Sequence, residues 1–167
     1  DRREYPRGST GLQIAESISG GLAREALGVK VNGAVVDLHR PIEQDAEVQI
    51  LTWNDDEGKE VYWHSSSHLM AHAVEALFPG AKFGVGPAIE EGFYYDIDIE
   101  HTLTPEDLER IENKMTELAK EDRHFDRKVL TRQEALEFWG AKGDQYKLEM
   151  ISEFPDDEII SCYTEGS

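Results

Sequence analysis

An Asn-Gly pair lies between two short apolar runs: Val29-Lys30-Val31-Asn32-Gly33-Ala34-Val35-Val36-Asp37. Asn-Gly in this setting is a strong short-range sign of a β-hairpin, because both residues tolerate the positive φ angles of a tight turn. A further alternating run over residues 46–52 predicts another strand. Upstream, Ser9 and Thr10 can cap a helix that carries Leu12, Ala15 and Ile18 on its apolar side.

Residues 1–53 therefore predict a helix, a hairpin and a strand, which together make a small α+β domain of the ubiquitin-like, β-grasp kind. We expect the first strand of its sheet to lie before Asp1. Residues 54–62 are polar and contain Gly58, so they predict a linker. Residues 63–167 predict a second α+β domain whose C-terminal part is missing.

The second domain is predicted from apolar periodicity, turn residues and helix caps. Its predicted elements are a helix from about Tyr62 to Leu77, a hairpin over 81–99, a helix from Thr104, a strand over 125–130, a helix from Thr131 closed by Gly140, and strands over 146–151 and from Ile159.

The net charge is −18, from 17 basic and 35 acidic residues. It argues against nonspecific binding of nucleic acid, because such binding depends on clustered Lys and Arg side chains. The sequence contains no apolar run of about 18 residues, so no membrane span is predicted. Cys162 is the single cysteine, which suits a reducing cytoplasm.

Three of the six histidines fall within one short stretch, at His64, His68 and His72. On a helix, a step of four residues advances about 40° around the axis, so the three imidazoles share one face. That face can line a pocket, and histidines at i and i+4 can also bind zinc. A third interpretation is that these histidines only pack or form hydrogen bonds. The spacing alone leaves all three open.

Other candidate residues carry weaker signals. Gly86, before Pro87, predicts a tight turn where a ligand can approach the main chain. Tyr94 and Tyr95 would point to opposite faces of a strand, which leaves one of them free to face a pocket. Lys147, in a predicted strand, could polarise an ester, although a surface role is the commoner fate of a lysine.

Two motifs in the second domain, His64-Ser65-Ser66-Ser67-His68 and Glu91-Gly92-Phe93-Tyr94-Tyr95-Asp96, together with Gly86-Pro87, resemble the editing domain of threonyl-tRNA synthetases. The stretch from Val31 to Leu38 is similar to a TGS domain, a ubiquitin-like module. A TGS domain directly before an HxxxH domain is the arrangement of the threonyl enzymes.

The resemblance implies hydrolysis of seryl-tRNA made in error, since serine is too similar to threonine to be rejected by binding alone. It implies that His64 acts with a water at the ester and that Lys147 positions or activates water. It implies that His68 and His72 line the cleft, and that Tyr95 and the main chain at Gly86 recognise the substrate. No metal is expected in this cleft.

The family motif continues with a Cys-x-x-x-His segment, which Cys162 does not match because Gly166 stands four places later. The resemblance therefore places half of the pocket outside this chain, together with the synthetase core, its ATP, Mg and Zn, and its homodimer contacts. The implied partner is threonine tRNA bearing serine. Two alternatives remain, a free-standing editing enzyme of the alanyl-related kind and a non-catalytic TGS-type module that binds RNA or protein.

Overall fold

The computed structural model describes residues 2–84, 86–123, 125–155 and 158–165. The chain divides into two compact units. The first comprises residues 1–66 and 88–93, and the second comprises residues 67–87 and 94–167. Both mix helices and strands, which confirms the α+β class. In the described residues, no helix combines the length and apolar character that a membrane crossing requires.

The first unit opens with seven short elements: β1 (Ser9–Thr10), α1 (Gly11–Ile18), α2 (Gly20–Glu25), β2 (Gly28–Val31), β3 (Ala34–Val36), β4 (Pro41–Ile42) and β5 (Val48–Leu51). Strands β3, β2 and β5 form a sheet in that order, and each pair is antiparallel. Strand β1 pairs with β4. The core of this unit contains Ile14, Ala15, Val29 and Leu51, all buried.

The structure confirms the predicted hairpin. Asn32 and Gly33 have φ angles of 50° and 85°, the left-handed values that a two-residue turn requires. Val31 then pairs with Ala34 across the turn.

Helix α3 runs from Asp56 to Leu77, so it begins inside the predicted linker. The carboxylate of Asp55 accepts a hydrogen bond from the main-chain N–H of Thr52 at 2.8 Å, and the carbonyl of Asp55 accepts one from Lys59 N–H at 3.0 Å. Asp56 and Glu57 add negative charge to the first turn, where it interacts favourably with the helix dipole. The same polar residues that resemble a linker therefore start a helix.

The first unit also contains β7 (Ala88–Ile89) and β8 (Gly92–Phe93), which pair across a turn. The second unit contains the rest of the chain's elements: β6 (Lys82–Phe83), β9 (Ile97–Asp98), α4 (Pro105–Lys120), β10 (Phe125–Leu130), α5 (Arg132–Lys142), α6 (Gln145–Glu153) and β11 (Ile160–Glu165). Strand β6 pairs with β9, and β10 pairs with β11, each antiparallel.

Two apolar clusters stabilise the second unit. One is built on Ala73, Val74 and Ile111, so it joins α3 to α4. The other is built on Ala135, Ile151 and Ile160, so it joins α5, α6 and β11. Both predicted helix starts are confirmed, because Thr104 and Thr131 each form a reciprocal capping box with the residue three positions later.

Two predictions in this unit are wrong. Helix α5 passes through Gly140 and ends at Gly143, whose φ of 69° is the left-handed conformation common after a helix. Residues 146–151 belong to α6 and not to a strand. The side chain of Asp144 accepts a hydrogen bond from Lys147 N–H at 3.1 Å, and this cap starts the helix.

Candidate functional site

Helix α3 carries all three clustered histidines. Its face towards the first apolar cluster includes Met70 and Val74. His68 and His72 each lie two positions from Met70, which is about 200° around a helix axis, so they occupy the side away from that cluster. His68 is exposed and His72 is half-buried. His64 is exposed and belongs to the part of the helix in the first unit.

Gly86 and Tyr95 are in direct contact. A Cβ atom on Gly86 would come within 2.4 Å of Cδ2 and 2.5 Å of Cε2 of the Tyr95 ring. Real Cβ atoms do not approach other atoms so closely, so only glycine fits here without displacement of the ring. Gly86 also contacts Ser67, which is 1% exposed and whose hydroxyl donates a long hydrogen bond of 3.4 Å to the Gly86 carbonyl.

Tyr95 is half-buried and packs edge-on against Phe83, with ring centroids 5.7 Å apart. Burial raises the pKa of the Tyr95 phenol, and the nearby negative charge of Asp144 raises it further. The phenol therefore stays protonated at neutral pH and can donate a hydrogen bond to a carbonyl or carboxylate oxygen. Tyr94 is 54% exposed, so of the two neighbouring tyrosines Tyr95 is the one that faces the interior.

Lys147 lies in the first turn of α6, which corrects its predicted place on a strand. Its main-chain N–H is bound by the carboxylate of Asp144, and its side chain is half-buried. Asp144 thus connects two predicted site residues: it caps the helix that carries Lys147, and its charge acts on Tyr95.

The second unit therefore brings Gly86 and Tyr95 into contact. Asp144, which caps the helix of Lys147, acts on Tyr95 through its charge. The second unit also places His68 and His72 on one side of α3. Ser67 and Asp144 were not predicted as site residues. An Asp directly after Gly143 is a sequence sign of a helix cap, and it could have revealed α6. No comparable sign exists for Ser67, whose partner is 19 positions away.

Within the described residues, no group of three or more His, Cys, Asp and Glu side chains is arranged to hold a metal ion.

Residues 1–52 match the family of TGS domains. Over 98% of its length, the chain is 53% identical to the threonine–tRNA ligase of Desulforamulus reducens. It is 50% identical to that of Caldanaerobacter subterraneus and 51% identical to that of Parabacteroides distasonis, in each case over 99% of its length. The chain is related to the N-terminal regions of threonine–tRNA ligases.

The match confirms that a TGS domain is present, and residues 1–52 contain the sheet and the two short helices of the first unit. The chain covers 26% of the D. reducens ligase and 25% of the P. distasonis ligase. It therefore spans about a quarter of the length of these relatives.

Proposed function

We propose that this chain is the N-terminal part of a threonine–tRNA ligase and that residues 63–167 contribute to an editing site. The longer protein would join threonine to its tRNA with ATP, and the editing site would hydrolyse seryl-tRNA formed by mistake. The observation that supports the proposal most directly is the similarity to threonine–tRNA ligases over nearly the whole chain.

The local chemistry suits ester hydrolysis. In the proposed reaction the imidazole of His64 accepts a proton from a water molecule, as a neutral histidine can near pH 7. The water oxygen then bonds to the carbonyl carbon of the seryl ester. Cleavage of the bond between this carbon and the ribose oxygen releases serine, and the ribose oxygen takes up a proton.

The ammonium group of Lys147 can donate up to three hydrogen bonds. It could stabilise the negative charge that develops on the ester oxygen, or it could position the attacking water. Its place in the first turn of α6 is set by the cap at Asp144. His68 and His72 supply further polar groups along α3.

Selectivity for serine over threonine requires a tight fit around one methyl group. In this proposal Gly86 and Tyr95 form one wall of the pocket, which is supported by their close packing, since the ring leaves no space for a Cβ atom on Gly86. A pocket that only accepts or rejects one methyl group discriminates by about 10- to 200-fold, which is enough for a second selection step after synthesis.

In this proposal ATP, Mg and Zn serve the ligase reaction in other parts of the longer protein, and that protein is a homodimer in the cytoplasm. The tRNA would also be held mainly by those parts, because the net charge of this chain is −18.

The test is deacylation of seryl- and threonyl-tRNA by this chain extended to complete its second domain. We expect release of serine only, and a loss of at least about 100-fold in the His64→Ala variant, as for removal of a general base. The matched control is His39→Ala, an exposed histidine between β3 and β4. A folded protein that releases no serine would instead favour a non-catalytic TGS-type module. Equal losses in both variants would argue against a role for His64.

A further inference from the structure

Three consecutive serines of α3 make two different kinds of contact. Ser65 and Ser66 each donate a hydrogen bond of 2.8 Å to the main-chain carbonyl four residues earlier in the same helix. This local bond is the usual one for a serine inside a helix. The hydroxyl of Ser67 instead donates to the carbonyl of Gly86, 19 positions later, at 3.4 Å. Of the three, Ser67 is therefore the one that connects α3 to a distant segment of the second unit.

The position of Ser67 on the helix explains this contact. Ser67 lies three positions before Met70 and seven before Val74, so it shares the helix face that packs in the first apolar cluster. Its side chain is 1% exposed. A hydroxyl buried to this extent requires hydrogen-bond partners from the protein. The carbonyl of Gly86 is one such partner.

The main chain at Gly86 is restrained through two different groups. Its Cα lies against the ring of Tyr95, where an added Cβ would be 2.4 Å from Cδ2, and its carbonyl accepts the bond from Ser67. The next residue is Pro87, whose nitrogen carries no hydrogen. The peptide group between Gly86 and Pro87 can therefore form hydrogen bonds only through this carbonyl oxygen, so the bond from Ser67 restrains the rotation of that group.

We propose that Ser67 is a positioning residue for the pocket wall and that its hydroxyl sets how strongly the site rejects threonine. This inference rests on the proposed function, in which Gly86 and Tyr95 form that wall. Exclusion of one methyl group requires a wall that does not yield. Glycine has the most freely rotating main chain of any residue, so a wall built on Gly86 needs a restraint from outside. Ser67 supplies this restraint through Gly86.

The experiment measures kcat/KM for seryl- and threonyl-tRNA with the extended chain used to test the proposed function. In Ser67→Ala we expect hydrolysis of threonyl-tRNA to rise and that of seryl-tRNA to change little. The ratio of the two values should fall by about two- to ten-fold, as for the loss of one hydrogen bond. A variant that was only less stable would lose activity on both substrates, so a gain on threonyl-tRNA identifies the effect on the wall.

The neighbouring serines provide matched controls. Ser65→Ala and Ser66→Ala remove the same group from the same helix, but their bonds stay within α3, so the ratio should not change. Ser67→Cys refills the space of the oxygen with a thiol, which is a weak donor. It should lower the ratio as Ser67→Ala does, which separates loss of the hydrogen bond from loss of volume. It also decides the question if Ser67→Ala does not fold.

A second measurement does not depend on deacylation. The ¹³C NMR signal of the Gly86 carbonyl in the 167-residue chain reports the hydrogen bond directly. We expect it to shift in Ser67→Ala and to stay in place in Ser66→Ala. The melting temperature of each variant verifies that it is folded.

The outcomes distinguish this inference from the proposed function. If the natural chain releases serine and the ratio is unchanged in both Ser67 variants, the inference is wrong and the proposed function stands. An equal fall of the ratio in Ser65→Ala or Ser66→Ala would also overturn it, because the bond to Gly86 would not be the cause. A folded natural chain that releases no serine would overturn both.

Discussion

The main chain of Gly86 lies directly against the ring of Tyr95, where a Cβ atom would approach Cδ2 to 2.4 Å. Gly86→Ala should therefore force the ring or the main chain at residue 86 to move. We expect the free energy of unfolding to fall by about 1–3 kcal/mol, as for other overpacked sites. Chemical denaturation of the chain measures this change, and NMR of the Tyr95 ring reports its displacement.

Gly140→Ala is the matched control for that variant. Gly140 lies within α5, and no atom lies within 4 Å of an added Cβ. Alanine forms helices better than glycine by about 1 kcal/mol, so this variant should be more stable than the natural chain. If both substitutions changed stability in the same direction, the contact between Gly86 and Tyr95 would not be the cause.

The second prediction concerns Asp144, which caps α6 and raises the pKa of Tyr95. Asp144→Ala should cost about 1 kcal/mol through loss of the cap and should lower the Tyr95 pKa towards its ordinary value. Asp144→Ser can keep the cap while removing the charge. It should preserve stability and still lower the pKa. NMR titration of the labelled tyrosine ring measures the pKa, and an unchanged value in both variants would contradict the assignment.

The third prediction concerns pH. The carboxylate of Asp107 is 5% exposed and accepts hydrogen bonds from His101 at 2.6 Å, from Thr104 and from Arg110. These contacts, that with His101 above all, hold the Asp107 pKa well below its usual range. A lowered folded-state pKa stabilises the protein above the unfolded-state value of about 4, and this contribution is lost as the pH falls further.

The melting temperature should therefore decrease as the pH is lowered below about 4, and less steeply in Asp107→Asn than in the natural chain. At pH 7 the melting temperature of Asp107→Asn should be several degrees below that of the natural chain. The neutral amide of Asn cannot replace the carboxylate that accepts hydrogen bonds from His101, Thr104 and Arg110. Asp98→Asn, on the exposed side of β9, is a suitable control. If the melting temperature fell equally with pH in all three proteins, Asp107 would not be the cause of the loss of stability in acid.

The fourth prediction concerns Gly58, in the first turn of α3. A Cβ atom there would lie 2.0 Å from the main-chain oxygen of Thr52, and main chain cannot move aside as a flexible side chain can. Gly58→Ala should destabilise the first unit by about 3 kcal/mol, the upper part of the range for overpacking. Gly21→Ala, in α2, meets nothing closer than 3.7 Å and should be tolerated. Thermal unfolding of the two variants measures the difference.

Features decided by neighbouring residues were predictable from the sequence. The turn at Asn32 and Gly33 and the helix starts at Thr104 and Thr131 depend on residues within three positions, and the structure confirms them. The segment from residue 146 to 151 was predicted wrongly because a short apolar run does not distinguish a strand from a helix. The Asp144 side chain caps this segment at its start, so the segment forms a helix and not a strand.

Contacts between distant parts of the chain were not predictable in the same way. The contact of Ser67 with Gly86 and the effect of Asp144 on Tyr95 arise only when separate segments pack together. The roles of His64, His68, His72 and Lys147 follow from the resemblance and stay predictions until deacylation is measured.

The cap at Asp144 also has a consequence for evolution of the chain by insertion and deletion. Because it sets where α6 begins, it sets the direction in which every later side chain of that helix points. One residue added between Asp144 and Lys147 would turn the lysine by about 100° around the axis while leaving its chemical identity intact. An insertion at this place would therefore move the lysine side chain without changing any residue of the helix.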